Sequence, residues 1–187
     1  MNRLKYHTAY LAGPIDAVPY KDASTWRNDL TTFLHSLNLF VLDPLQKPIE
    51  KYNEDEKFLQ KRKQLKKEGK YDELHQLGKP IRAFDLRSVD CSNFVIVYYN
   101  LDVIMAGTLN EMSICDLERK PCLIMCEQGI SSIPDWWFFT FPAEFFFEDW
   151  ETLKQYIRDI DNGTIKNPHK RWWLIDYEKI APPQLKC

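Results

Sequence analysis

Apolar residues along the chain fall into short runs separated by stretches of helical spacing. Residues 8–12, Thr-Ala-Tyr-Leu-Ala, form a short apolar run closed by Gly13-Pro14, the punctuation of a strand end. Trp26, Leu30, Phe33, Leu34 and Leu37 then recur at i, i+4, i+7, i+8 and i+11. That spacing puts them on one helical face, with Ser24 as the expected N-cap. A second strand is predicted over 39–42, stopped by Asp43-Pro44. Ile81, Phe84 and Val89 give helical spacing over 81–91. Residues 93–99, Asn-Phe-Val-Ile-Val-Tyr-Tyr, are almost continuously apolar, the pattern of a strand covered on both faces. A loop over 100–106 leads to a helix opened by Gly107-Thr108. It runs to about Glu118, with Leu109, Met112 and Leu117 near one face, and Pro121 closes it. Residues 122–126 form the next strand, and 148–160 a last amphipathic helix carrying Trp150, Leu153, Tyr156 and Ile157. This alternation predicts an α/β fold: a parallel sheet with right-handed crossovers and helices on both faces. No internal repeat interrupts it.

Two regions depart from that rhythm. Residues 47–79 carry ten Lys/Arg and seven Asp/Glu, with Phe58, Leu65, Leu74 and Leu77 as sparse apolar contacts. They read as solvated helices, either an exposed insertion with no catalytic part or a hairpin or lid. The C-terminal third holds Trp136-Trp-Phe-Phe-Thr-Phe141, Phe145-Phe-Phe147 and Trp172-Trp173. That exceeds what a small core usually needs, and reads either as a core edge or as the buried interface of a homo-oligomer, since aromatics are enriched in interface cores.

Composition narrows the class. The length of 187 residues favours one domain spanning 1–187. A net charge of −2 lacks the basic excess of a dedicated nucleic-acid binder. No run approaches the roughly 18 apolar residues of a membrane span, and the polar, basic residues 1–8 do not read as the start of a signal peptide. The cysteines, at 91, 115, 122, 126 and 187, are odd in number. They read as reduced thiols in a cytoplasmic protein. Cys122-x-x-x-Cys126 lies in a strand-like alternation, so buried core thiols are expected rather than a metal site.

Ligands of open α/β sheets bind beyond the carboxyl ends of the strands, and three features fall there. The first is Tyr10-Leu-Ala-Gly-Pro-Ile-Asp16, where Gly13 allows close backbone approach and Pro14 fixes the turn. The second is Gly107-Thr108 followed by Glu111. In the first turn of its helix, Glu111 would feel the positive helix end and stay ionised, and an ionised carboxylate at a ligand crevice can act as a nucleophile. The third is Asp85, on the helix that feeds the strand over 93–99. Read one at a time, each is also a plain turn, a dipole-stabilising acid or a surface charge.

Together, these segments resemble the nucleoside 2-deoxyribosyltransferases and related nucleoside 5′-monophosphate N-glycosidases. The resemblance rests on Ala9-Tyr-Leu-Ala-Gly-Pro-Ile-Asp16, on Asp85-Leu-Arg-Ser-Val-Asp-Cys-Ser-Asn93 and on Gly107-Thr-Leu-Asn-Glu-Met-Ser-Ile-Cys115 followed by Lys120-Pro-Cys-Leu-Ile124. It extends from the N-terminus to about residue 126. The Gly-Thr-x-x-Glu helix start is its most specific element. It implies a flavodoxin- or Rossmann-like sheet and a retaining transfer of 2-deoxyribose within nucleotide salvage. A Glu attacks the anomeric carbon and expels the base, and a second base or water resolves the glycosyl-enzyme.

By motif position the resemblance assigns Glu111 as nucleophile, Asp85 as the acid that protonates or orients the departing base, and Tyr10 as the partner of Glu111. Gly13, Pro14, Asp16, Gly107 and Thr108 would line the substrate crevice, with Arg27 near it. The position six residues before the nucleophile, where the transferases commonly carry an Asp for the sugar 5′-hydroxyl, is Met105. Asp102 is the nearest acid that could substitute. Otherwise the 5′ end is bound differently, with the charged insertion or Arg82 and Arg87 as phosphate contacts. The implied partners are a small nucleoside or nucleotide and a free base, with no cofactor and no metal. A homo-oligomer, dimeric or larger, is also implied, in which Asp135 and Glu144 are candidates to line a neighbouring site. The alternatives are hydrolysis of a deoxynucleoside 5′-monophosphate, and a nucleotide-binding protein without catalysis.

Overall fold

In the computed structural model, residues 2–16, 18–47 and 54–175 are described. Cys187 lies outside them. Five parallel strands form one sheet: β1 (Thr8–Ala12), β2 (Phe40–Leu42), β3 (Phe94–Tyr98), β4 (Cys122–Met125) and β5 (Phe146–Phe147). Their spatial order is β2-β1-β3-β4-β5, with Tyr10 beside Val95 and Val97 beside Ile124. The expected parallel α/β fold is thus the one observed. The fifth strand is not foreseen from the sequence: its two residues sit inside an aromatic run too short to show a period of two.

The apolar run of β3 alternates between two cores. Phe94 and Ile96 pack with Leu30 and Leu34 of α1 (Tyr20–Ser36) and with Leu153, Ile157 and Ile160 of α6 (Trp150–Asn162). Val95 and Val97 pack on the opposite face against Met112 and Cys115 of α4 (Ala106–Leu117), Val89 of α3 (Tyr71–Cys91) and Trp137 of α5 (Asp135–Thr140). The buried cysteines 115, 122 and 126 belong to this second core as free thiols. No cluster of potential metal ligands occurs among the described residues, and no described helix is long and apolar enough to cross a membrane.

Helix α1 begins at Tyr20 behind Pro19, four residues before the expected cap at Ser24. Pro19 already holds a φ of −56°, and Asp22 supplies the acid of the first turn. The Ser24 hydroxyl instead bonds back to the Lys21 carbonyl at 3.1 Å. The charged stretch contains a helical hairpin, α2 (Glu56–Lys67) and α3, with Asp55 capping α2 through the Phe58 N–H at 2.8 Å. Helix α3 continues through Pro80. The expected boundary at residue 79 is therefore not a break, and one helix carries both the hairpin and Asp85.

The aromatic third divides. Phe141, Phe145, Phe146, Phe147 and Trp172 are buried, and Trp137 donates from Nε1 to the Tyr99 hydroxyl at 3.2 Å. Trp136 is 70% exposed and Phe139 80%; with Phe138, Trp173 and the 81% exposed Leu117 they leave apolar surface in solvent.

Candidate active site

The strand order turns at β1 and β3. The connection leaving β1 runs outward to β2 over one face, and that leaving β3 runs the other way to β4 over the opposite face. A crevice opens between their carboxyl ends, the switch point where ligands of such sheets bind. Here it is a cleft of about 450 Å³, within the usual range for a small-molecule site. A second cleft of about 440 Å³, walled by Trp26, Tyr98 and Trp150, lies beyond the same Gly13-Pro14 turn. It lacks buried paired carboxyls, so the candidate chemistry belongs to the first.

Tyr10 reaches this cleft from below because alternation along β1 aims it at the α3/α4 face. Its hydroxyl donates to Glu111 Oε1 at 2.7 Å. Thr108, Glu111, Met112 and Cys115 form the buried stripe of α4, which is why a carboxyl of this helix lies against the sheet. Asp85 occupies the packed stripe of α3 between Ile81 and Val89. Gly13, Pro14, Asp16, Asp85, Gly107, Thr108 and Glu111 all line the cleft. The three segments singled out in the sequence therefore converge.

Gly13 is required by close approach: a Cβ there would lie 2.8 Å from Trp26 Cζ2 and 3.3 Å from Tyr98 Cβ. The turn is pinned by Arg27, fully buried, which donates to the Gly13 carbonyl at 3.0 Å and to the Ala23 carbonyl at 2.5 Å. Its Nε lies 3.5 Å from Asp43. Arg27 thus belongs to the scaffold behind the cleft.

Asp102 is not brought to the cleft. It is exposed, and its carboxylate accepts from Gln128 Nε2 at 3.1 Å. Met105 does line the cleft, with its sulfur accepting from the Asn100 N–H at 3.3 Å. Arg82 lines it as well, whereas Arg87 is exposed and paired with Asp90.

The electrostatics correct one expectation. Glu111 is the sixth residue of α4, in its second turn, beyond the reach of the helix end. Burial instead pushes its carboxyl up to about 7. The Tyr10 hydrogen bond and Arg27 oppose that rise, and Asp85 adds to it. Burial likewise raises Asp85 to about 6, against the pull of Lys47. Tyr10 is held well above its ordinary value by burial and by both carboxyls. Glu111 feels Asp85 as well as its own burial, so the two carboxyls do not titrate independently. Such perturbed pairs in a cleft mark sites of acid–base and nucleophilic chemistry.

Sequence reasoning misses one set of residues here. Lys47, Glu54 and Arg62 form ion pairs in and behind the cleft wall, with Glu54 and Arg62 lining it and Lys47 buried behind. Lys47 Nζ lies 3.0 Å from Asp85 Oδ1 and 3.1 Å from Glu54 Oε1. Arg62 reaches Glu54 at 2.9 Å and Asp16 at 2.5 Å. No spacing rule links position 47 to 85 or 16 to 62. The only available signal is a Lys three residues after the Asp43-Pro44 that ends a strand.

No protein-family model matches this chain, and no curated protein matches it. Among solved structures it is similar to the 2-deoxyribosyltransferase of the psychrotolerant bacterium Bacillus psychrosaccharolyticus, described as a biocatalyst for the synthesis of nucleosides. That likeness has a TM-score of 0.54 and 19% identity, and covers 80% of this chain and 91% of that one. The two share a fold.

Proposed function

We propose that this protein is a nucleoside 2-deoxyribosyltransferase with Glu111 as nucleophile and Asp85 as the acid at the departing base. The observation that carries the reading is the Tyr10–Glu111 hydrogen bond beside Asp85 at the switch-point cleft. The shared fold and the motif order agree with it.

In this reading Glu111, ionised, attacks C1′ of a 2′-deoxynucleoside as the bond from C1′ to the base nitrogen breaks. The electron pair of that bond leaves with the base, and Asp85 delivers a proton to the base. A second base then attacks C1′ from the vacated side, the ester to Glu111 breaks, and the incoming base returns a proton to Asp85. Tyr10 supports the ionised Glu111 by donating to Oε1, which leaves Oε2 for the sugar. The raised Asp85 suits an acid, and the raised Glu111 makes ionisation of the nucleophile the step that sets the lower pH limit.

A second reading is hydrolysis of a deoxynucleoside 5′-monophosphate. It is favoured by Arg62 and Arg82 on the cleft wall and by Met105 where an acid would repel phosphate. Incubation with a deoxynucleoside and a different free base separates the readings. Exchanged nucleoside supports transfer, free base alone supports hydrolysis, and turnover of the monophosphate over the nucleoside supports the second reading. Mass spectrometry should find a deoxyribosyl adduct on Glu111. Absence of both turnover and adduct, with ligand binding intact in Glu111→Ala, would leave a nucleotide-binding protein without catalysis. The exposed Trp136, Phe139 and Leu117 support self-association of this cytoplasmic enzyme through that face, as a dimer or larger.

A further inference from the structure

The charged stretch over 47–79 buries part of its charge against the candidate site. The Lys47 side chain is 0% exposed and its Nζ lies within 3.1 Å of three acceptors: Asp85 Oδ1, Glu54 Oε1 and the Pro44 carbonyl. Burying an ammonium costs several kcal/mol unless it is well partnered. A surface helix has no need of such an arrangement. Lys47 does not itself line the cleft, so it acts on a ligand through the residues it holds there, and of these Asp85 is the one placed at the chemistry.

The carboxyl of Asp85 is used asymmetrically. Oδ1 is completely enclosed and its contact with Lys47 at 3.0 Å is an ion pair without hydrogen-bond geometry, while the side chain as a whole keeps 15% exposure. The oxygen left to face the cleft is Oδ2. Glu54 extends the arrangement: Oε1 meets Lys47 and Oε2 accepts from Arg62, which in turn holds Asp16 beyond β1. Charges of alternating sign thus run from α3 to the Gly13-Pro14 turn along one wall of the cleft.

We propose that Lys47 is a positioning residue of this site: its buried ammonium clamps Oδ1 of Asp85, so that Oδ2 alone is offered to the departing base. The clamp itself rests on the cluster geometry, and its use in base departure rests on the transfer reading. The charged groups acting on Asp85 are Lys47 and Glu54 from the segment between β2 and α2, Arg27 from α1, and Tyr10 and Glu111 from β1 and α4. Lys47 is the strongest of those that favour the carboxylate, and Glu54 opposes it. Removing the ammonium therefore raises Asp85, and removing the Glu54 charge lowers it.

The test is a carboxyl-carbon NMR titration of Asp85 in the full chain, with the resonance assigned by its loss in Asp85→Asn. Lys47→Met should raise the midpoint by about one unit or more, a tenfold change in the proton equilibrium. Lys47→Arg should bring it most of the way back, and Glu54→Gln should lower it. An unchanged midpoint in Lys47→Met overturns the proposal. If that variant does not fold, a midpoint that fails to fall in Glu54→Gln overturns it instead. Base exchange by the same preparations reads the consequence: Lys47→Met should lose about tenfold or more in kcat, with KM for the nucleoside little changed. Loss in KM alone would overturn the role in base departure. If the wild-type chain exchanges no base while the midpoints move as stated, the transfer reading fails and the clamp stands.

Discussion

Replacing Glu111 by Gln should make the protein more stable as it loses activity, and by an amount that depends on pH. In the native fold this carboxyl titrates near 7 against 4.5 for an unburied Glu. A group whose folded pKa is raised costs nothing below its unfolded pKa, because both states are protonated. The cost grows between the two values, where the native state must take up a proton or bury a charge, and is complete above the folded one. At about 1.36 kcal/mol per unit, the difference reaches about 3 kcal/mol at pH 8 and stays under about 1 kcal/mol at pH 5. Gln keeps an oxygen that can accept from Tyr10, so little packing or hydrogen bonding changes. Urea unfolding of both proteins at pH 5 and pH 8 measures the difference. The variant should gain about 2–3 kcal/mol at pH 8, equivalent to about 5–10 °C in Tm for a chain of this size, and little at pH 5. A gain of equal size at both pH values, or none at pH 8, would refute the argument that the carboxyl is held against its own solvation. The trade of stability for a destabilised functional group is a common one.

Four further outcomes follow from the same geometry. Tyr10→Phe removes the hydroxyl that supports the ionised Glu111, so the lower limb of the pH–activity profile should move upward and activity at pH 7 should fall by about tenfold; an unmoved limb counts against that support. Gly13→Ala places a methyl 2.8 Å from the Trp26 ring. It should cost about 1–3 kcal/mol in denaturant unfolding, and a neutral result would mean the turn is looser than described. Trp136→Ala should weaken self-association in sedimentation experiments at unchanged Tm. Trp137→Ala, buried and bonded to Tyr99, should lose about 3–5 kcal/mol of stability; a folded, unperturbed Trp137→Ala would contradict the division of the aromatic third.

Much of the fold is readable because the inner strands β1, β3 and β4 are buried on both faces and their apolar runs are unbroken. Residues 94–98 need no periodicity to be recognised. The convergence of Tyr10, Asp85 and Glu111 is readable because each lies on the face of its element that packs against the same side of a parallel sheet. Three things are not readable, for different reasons. The ionisation of Glu111 depends on helix register: one turn separates a dipole-stabilised first-turn acid from a buried one, and the Gly-Thr start alone does not distinguish them. Asp102 is near Met105 in sequence but is drawn to Gln128 by the shape of the loop after β3. The Lys47–Glu54–Arg62 chain reaches the site through Asp85 and Asp16, side chains that meet it across long separations and leave no trace in local spacing. A charge-rich stretch looks solvated whether its charges face water or one another.

The position of β1 between β2 and β3 also governs the order in which this molecule can come into being. Its neighbour β2 offers only three paired residues, and its longer partnership is with β3, which begins at residue 94. A chain emerging from synthesis therefore has the α2–α3 hairpin, a local structure, long before the sheet that supports it. Tyr10 must wait for residue 111, and Asp85 remains on a solvated helix until β3 docks. The carboxyl pair closes only after residue 111, well behind the hairpin. A prematurely ended chain contains Tyr10 and Asp85 but neither the acid they serve nor the low-dielectric setting that tunes it, so reactivity arrives only with the completed sheet.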